Sequence, residues 1–191
     1  MYAKLTSGSV NYDVVVPSDY MIERLIDEEW LLPLNYENIP NIENIVPEFY
    51  GENAKYDQYD KGNVYSVPYF YGMIGILYNS SIVSEEDAAL ESWSLMWNDN
   101  YTRDILQFNN SRDAFGTAMF KLGIDVNTTD KALWDKAHDE MIKQRPLVYS
   151  FVMDEIFNKM EGGDAALAPY YAGDFLSMYE ENPDLAFVYP K

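Results

Sequence analysis

Cysteine is absent and histidine occurs once, at position 138, in a chain of 191 residues. Without a thiol there is no disulfide framework, no cysteine-bound zinc or iron–sulfur centre and no thiol nucleophile. One imidazole cannot build a multi-histidine metal site. A Ser-His-Asp triad would have to use His138 itself as its base. Basic residues are also scarce: 13 Lys and Arg stand against 32 Asp and Glu, a formal net charge of −19. Such a charge repels nucleic acid and anionic lipid, which are both recognised through basic surfaces. It favours solubility and a cationic partner. No stretch of 18 apolar residues occurs, so no transmembrane helix is expected. The opening MYAKLTSG has neither a basic n-region nor an apolar h-region, so no signal peptide is expected there. Gly-x-Ser-x-Gly, phosphate-loop and dinucleotide fingerprints are missing as well.

What is present is 48% hydrophobic residues, enough for a packed core. The length suits one large domain or one and a half smaller ones. Tyr12-Asp-Val-Val-Val-Pro-Ser18 reads as a buried strand delivered to a turn. Ser18 opens a helix over 19–30, with Ile22, Leu25 and Ile26 inward. Residues 35–61 are rich in Asn, Pro and Tyr and read as a long connection with short helical turns. Residues 64–71 and 72–79 read as successive strands, the second carrying Gly72 and Gly75 where backbone bends or approaches closely. A short helix is expected around Trp93 and Trp97, then a strand over 104–108. Ser111 caps an expected helix over 112–122, with Phe115, Met119 and Leu122 on one face and Gly123 as its stop. Further helices are expected over 130–144, 154–160 and 172–180, and strands over 165–170 and 185–189. The alternation predicts an α/β fold with mainly parallel sheets. Both ends read as unfinished, as in part of a longer protein.

Three strand-to-helix corners carry candidate site residues, because ligands of open α/β sheets sit at the carboxyl ends of strands. At the first, Ser18 is either an N-cap alone or a cap that also touches a ligand. At the second, Asn109-Asn110-Ser111-Arg112-Asp113, Asp113 either complements the helix dipole or aims a carboxylate across a cleft. At the third, Ala168-Pro-Tyr-Tyr-Ala-Gly-Asp174, adjacent aromatics stand beside a carboxylate. That pairing suits an organic ammonium through cation–π attraction and a charge-assisted hydrogen bond. The competing reading makes one tyrosine core and Asp174 a simple helix cap. His138 belongs to the polar face of its helix and reads as a solvated surface residue.

Read in order, these stretches resemble the spermidine/putrescine-binding proteins of polyamine ABC transporters. The matching segments are Tyr12–Ser18, Tyr65-Ser-Val-Pro-Tyr69, Gly72-x-x-Gly75-Ile-x-Tyr-Asn79 and Ser92-Trp-Ser-Leu-Met-Trp97. Arg112-Asp-Ala-Phe115 through Lys121-Leu-Gly123, Asn127-Thr-Thr-Asp130 and Tyr171-Ala-Gly-Asp174 complete them. The resemblance implies a type 2 periplasmic-binding-protein fold, two α/β lobes hinged around a cleft, here truncated. Residues 1–73 would be a partial first lobe and 78–191 a second lobe incomplete at its C-terminal end. The chain would begin after the family's first strand and helix and end before the third hinge crossing. Part of the family's aromatic box would lie outside it.

By the same resemblance, Ser18 and Tyr20 contact the polyamine from the first lobe and Asp113 meets a terminal amine from the second. Tyr171 stands where the family usually has a tryptophan, and Asp174 matches an aspartate of putrescine-preferring members. Asn110 departs from the aspartate of spermidine binders. The implied function is extracytoplasmic polyamine capture for an ABC importer, with permease subunits as partners. No catalytic residue, metal, cofactor or nucleic acid is implied. The protein would be a monomer, periplasmic or lipid-anchored, meeting the membrane only through that anchor or the permease. A binding protein for another solute (a sugar, a metal chelate or thiamine) and a carboxylate-dependent hydrolase remain the alternatives.

Overall fold

The computed structural model describes residues 1–51 and 54–191 and divides into two units, Met1–Phe70 and Tyr71–Lys191. The first unit holds helix α1 (Tyr2–Thr6), helix α2 (Asp19–Asp27) and two 3-10 turns, Tyr36–Asn38 and Pro40–Asn44. Helix α2 starts where extended Ser18 takes the N-cap position and Asp19 puts a carboxylate in the first turn. It buries Ile22 and Leu25. It ends at Asp27, three residues short of Trp30, and a left-handed Glu29 with φ 60° follows its C-cap Glu28. The 3-10 turns fall within the connection expected over 35–61. That connection closes on a tight turn in which buried Asp60 accepts hydrogen bonds from Val64 N, Tyr65 N and Ser66 Oγ at 3.0, 2.9 and 2.7 Å.

The strand expected over 12–16 does not form. Among the described residues of this unit there is no strand to pair with it, and Val14 and Val16 are 79% and 72% exposed. A β-branched run becomes a strand only when a neighbour supplies its hydrogen bonds. The strand expected over 64–71 is likewise irregular chain, with Tyr69 and Phe70 exposed.

The second unit is built on a five-stranded sheet. Its strands are β1 (Ile74–Asn79), β2 (Ile105–Phe108), β3 (Val148–Val152), β4 (Leu167–Tyr171) and β5 (Leu185–Val188), in the order β3-β2-β4-β1-β5. Helices α3 (Glu85–Ala88), α4 (Ser111–Lys121), α5 (Lys131–Gln144), α6 (Glu155–Glu161) and α7 (Ala172–Glu181) connect them, with a 3-10 turn at Trp93–Trp97. Four of the five strands run the same way, as the expected mainly parallel sheet requires, and one is reversed. Strand β2 runs parallel to β3 and β4, but β1 runs antiparallel to both β4 and β5. The βαβ unit β4-α7-β5 leaves a one-strand gap, and β1 fills it in the opposite direction. Gly75 makes this insertion possible. A methyl group there would lie 2.5 Å from the Val188 carbonyl oxygen and 2.6 Å from the Phe187 ring.

Side chains alternate across the sheet as the period of two requires. Ile76 packs with Trp93, Leu95, Met96, Ile105 and Leu167, while its neighbour Leu77 packs with Leu106, Phe108, Ile156, Met160 and Tyr170. Each such buried aliphatic side chain contributes about 1.5–3 kcal/mol. Fully buried Gln107 ties the elements around β2 together. Its Nε2 donates to Thr117 Oγ1 at 3.2 Å and to Gln144 Oε1 at 3.0 Å, and its Oε1 accepts from Phe108 N at 2.8 Å. Gln144 Nε2 in turn donates to the Met96 carbonyl at 2.9 Å. Helix α4 is therefore held at a fixed height over β2.

Helix α4 differs from expectation in two details. Its N-cap is Asn110, whose side chain accepts from Arg112 N at 2.9 Å, so Ser111 is the first helical residue. Its buried face is Ala114, Thr117, Ala118 and Met119, while Leu122 is exposed. In α5, Ala137 is buried and His138, on the polar face as expected, is exposed and stacked on Phe115 at 6.3 Å and 9°.

Candidate ligand-binding site

Strands β2, β3 and β4 are parallel neighbours, so their carboxyl ends open on one edge of the sheet. Each delivers a carboxylate to that edge just before or within the first turn of a helix: Asp113 in α4, Asp154 ahead of α6 and Asp174 in α7. Asp154 is a residue the sequence reading missed. The two tyrosines that end β4, Tyr170 and Tyr171, lie among these acids, with Phe108 from the end of β2 at 6.4 and 5.8 Å from their rings.

Asp113 and Tyr171, far apart in sequence, are brought together here. The Tyr171 hydroxyl faces the Asp113 carboxylate closely enough for its dipole to favour the ionised acid. Burial pushes the Asp113 carboxyl above its ordinary value, and the Tyr171 hydroxyl only partly opposes this. Burial, with the Asp113 charge second, pushes the Tyr171 phenol up to about 12. Tyr170 is also raised to about 12, by burial and then by the charges of Asp174 and Asp154. Both phenols therefore stay protonated at neutral pH. The edge offers carboxylates as acceptors and aromatic rings as walls, and an organic ammonium satisfies both.

The competing roles can now be assigned. Asp174 is not the cap of α7: Tyr171 holds that position and Asp174 lies in the first turn, half-buried. Asn110 is a cap, with its side-chain oxygen committed to Arg112 N. In the first unit Ser18 occupies the N-cap position without a side-chain capping hydrogen bond, and is exposed. Tyr20, half-buried, follows in the first turn of α2, where Asp19 Oδ1 accepts from its N–H at 2.7 Å. The described residues include no group of three His, Asp or Glu able to hold a metal ion. None of the described helices is long and apolar enough to cross a membrane.

Beside the Asp113–Tyr171 pair lies a cavity of about 260 Å³ along α4. Its floor is Gly116. Trp93 and Phe120, stacked at 6.1 Å and 16°, form one wall with Ile74; Met119, Val126 and Trp134 form another. The sequence reading missed these residues too, although Asp113, Gly116 and Phe120 recur at helical spacing on one face.

Comparison with known proteins agrees with this architecture. Residues 10–191 match the family model described as bacterial extracellular solute-binding protein. The chain is 32% identical over 193 residues to spermidine/putrescine-binding periplasmic protein 1 of Haemophilus influenzae, covering 100% of this chain and 52% of that protein. It is 30% identical over 180 residues to the putrescine-binding periplasmic protein PotF of Escherichia coli, covering 90% and 48%. Among solved structures, the spermidine/putrescine ABC transporter substrate-binding protein PotD of Streptococcus pneumoniae superposes with a TM-score of 0.76 at 35% identity, over 99% of this chain and 56% of that one. The TpPotD lipoprotein of Treponema pallidum gives a TM-score of 0.83 at 26% identity, over 99% and 58%. The chain thus spans about half the length of the curated relatives it matches. With this sheet order, these strand-to-helix corners and a match over residues 10–191, the chain belongs to the bacterial extracellular solute-binding proteins.

Proposed function

We propose that this chain belongs to the solute-binding component of an ABC importer and that its solute is a polyamine, putrescine or spermidine. The observation that carries the reading is the edge where Asp113, Asp154 and Asp174 surround Tyr170 and Tyr171. A polyamine is a methylene chain with ammonium groups at intervals, and it needs carboxylates at its charges and rings along its chain. Asp113 and Asp174 receive ammonium groups and Tyr171 lines the methylenes, while Ser18, Tyr20 and Asn110 are ligand contacts by family resemblance alone. Capture of this kind involves no bond making, so the protein is a binder and not an enzyme. The names of the relatives support this over a hydrolase or a binder of some other solute. The protein acts outside the cytoplasm as a monomer, free or lipid-anchored, and hands its solute to permease subunits.

The test is titration of the full-length protein with putrescine after Asp113→Asn and Asp174→Asn. Each change removes a charge-assisted hydrogen bond and costs about 1–3 kcal/mol of binding. Unchanged affinity in both variants would leave these acids with structural roles only. Turnover of a glycoside would instead support the hydrolase.

A further inference from the structure

The cavity over Gly116 adjoins the candidate ammonium site but has a different chemistry. Its wall residue Ile74 pairs directly with Tyr171 in the β1–β4 ladder, so the two side chains share a sheet face at the same end. Asp113 lines the cavity and also faces the Tyr171 hydroxyl. An ammonium held by Asp113 therefore borders the cavity. Beyond it the walls are mostly apolar, and Asp113 is the only carboxylate among the lining residues. The lining also includes Arg112, whose permanent positive charge opposes a second ammonium inside. Gly116 leaves the floor open, since a methyl group there would meet nothing within 4 Å. An apolar cavity of roughly 150 Å³ admits a benzene ring, and this one is about 260 Å³.

We propose that this cavity receives a neutral apolar substituent carried on the ammonium nitrogen that Asp113 binds. The protein would then accept N-alkylated or N-arylmethylated polyamines, with Gly116 and Phe120 as the residues that set this tolerance. The substituent must leave the nitrogen charged, so secondary amines fit and amides do not. The proposal rests on the polyamine reading above.

The experiment is calorimetric titration of the full-length protein with putrescine, spermidine and N-benzylputrescine, the last being the probe for the cavity. Burial of the ring should make N-benzylputrescine bind about tenfold tighter than putrescine, or better. Gly116→Leu, which fills the floor, and Phe120→Ala, which removes a wall, should each bring that ratio close to one. If putrescine and spermidine bind but N-benzylputrescine binds no tighter, the cavity assignment is wrong; another part of the protein filling the cavity would give the same result. A preference that survives both variants also overturns it. If neither unsubstituted polyamine binds, the polyamine reading fails and takes this proposal with it.

Discussion

Replacing Tyr171 with Phe separates the two things this residue does at the site. The ring stays, with its packing on Phe108 at 5.8 Å, while the hydroxyl that faces Asp113 is lost. Asp113 must be ionised to hold an ammonium. Its carboxyl is already raised by burial, and the Tyr171 hydroxyl is what lowers it. Ammonium affinity is therefore complete above that raised value and falls as the pH drops through it. Without the hydroxyl the carboxyl moves further up, so the fall begins at higher pH. Well above both values the carboxylate is ionised in both proteins and the affinities should nearly coincide. In acid, the variant should bind more weakly by the worth of the lost interaction. A hydrogen bond to a charged group contributes about 1.5–3 kcal/mol, and a half-buried pair falls at the lower end, so about 1.5–2 kcal/mol is expected, roughly ten- to thirtyfold in affinity. The assay is calorimetric titration with putrescine across a series from neutral to acid pH, with Asp113→Asn as the reference lacking this titration. Superimposable curves for Tyr171→Phe and wild type would refute the coupling, as would an unchanged acid fall in Asp113→Asn.

Two further outcomes concern the frame that holds the site. Gly75→Ala forces the added methyl group against Val188 O and the Phe187 ring, and overpacking of this kind costs about 1–3 kcal/mol, read as a lower urea midpoint. A midpoint within error of wild type would mean that β5 yields easily. Glu140, nearly buried, accepts from Lys121 and from Lys143, the latter at 2.8 Å, and these hydrogen bonds hold its carboxyl below the ordinary value. Its contribution is present at neutral pH and is lost as the pH falls through that lowered value. Glu140→Gln should therefore cost about 1–3 kcal/mol near pH 7 and progressively less in acid. A deficit that is constant with pH would contradict this.

The sequence was most legible where the deciding forces are local. Helix α5 follows from its Asp130 cap and apolar spacing, α4 and α7 from apolar spacing, and β1, β2, β4 and β5 from short apolar runs between turn residues. It was least legible where pairing is nonlocal. The valines at 14–16 and the run at 64–71 carry strand composition but find no neighbour among the described residues of their unit. Strand β3 was overlooked because it is an edge strand, with Tyr149 and Phe151 half-exposed and Pro146 just before it. With it went Asp154. The corners bearing Asp113 and Tyr171 were each visible, and the family resemblance gave both a role. Their direct contact depends on β2 and β4 being parallel neighbours, which no local pattern encodes. The antiparallel insertion of β1 was hidden for the same reason, although Gly75 marked the spot.

The central claim, that acids and tyrosines at this sheet edge capture a polyamine, has a direct test. The full-length protein is titrated by calorimetry with putrescine and spermidine, and with butane-1,4-diol as an uncharged molecule of matching carbon chain. Binding of at least one polyamine at sub-millimolar concentration, with no binding of the diol, is the predicted result. No heat from either polyamine in that range would contradict it.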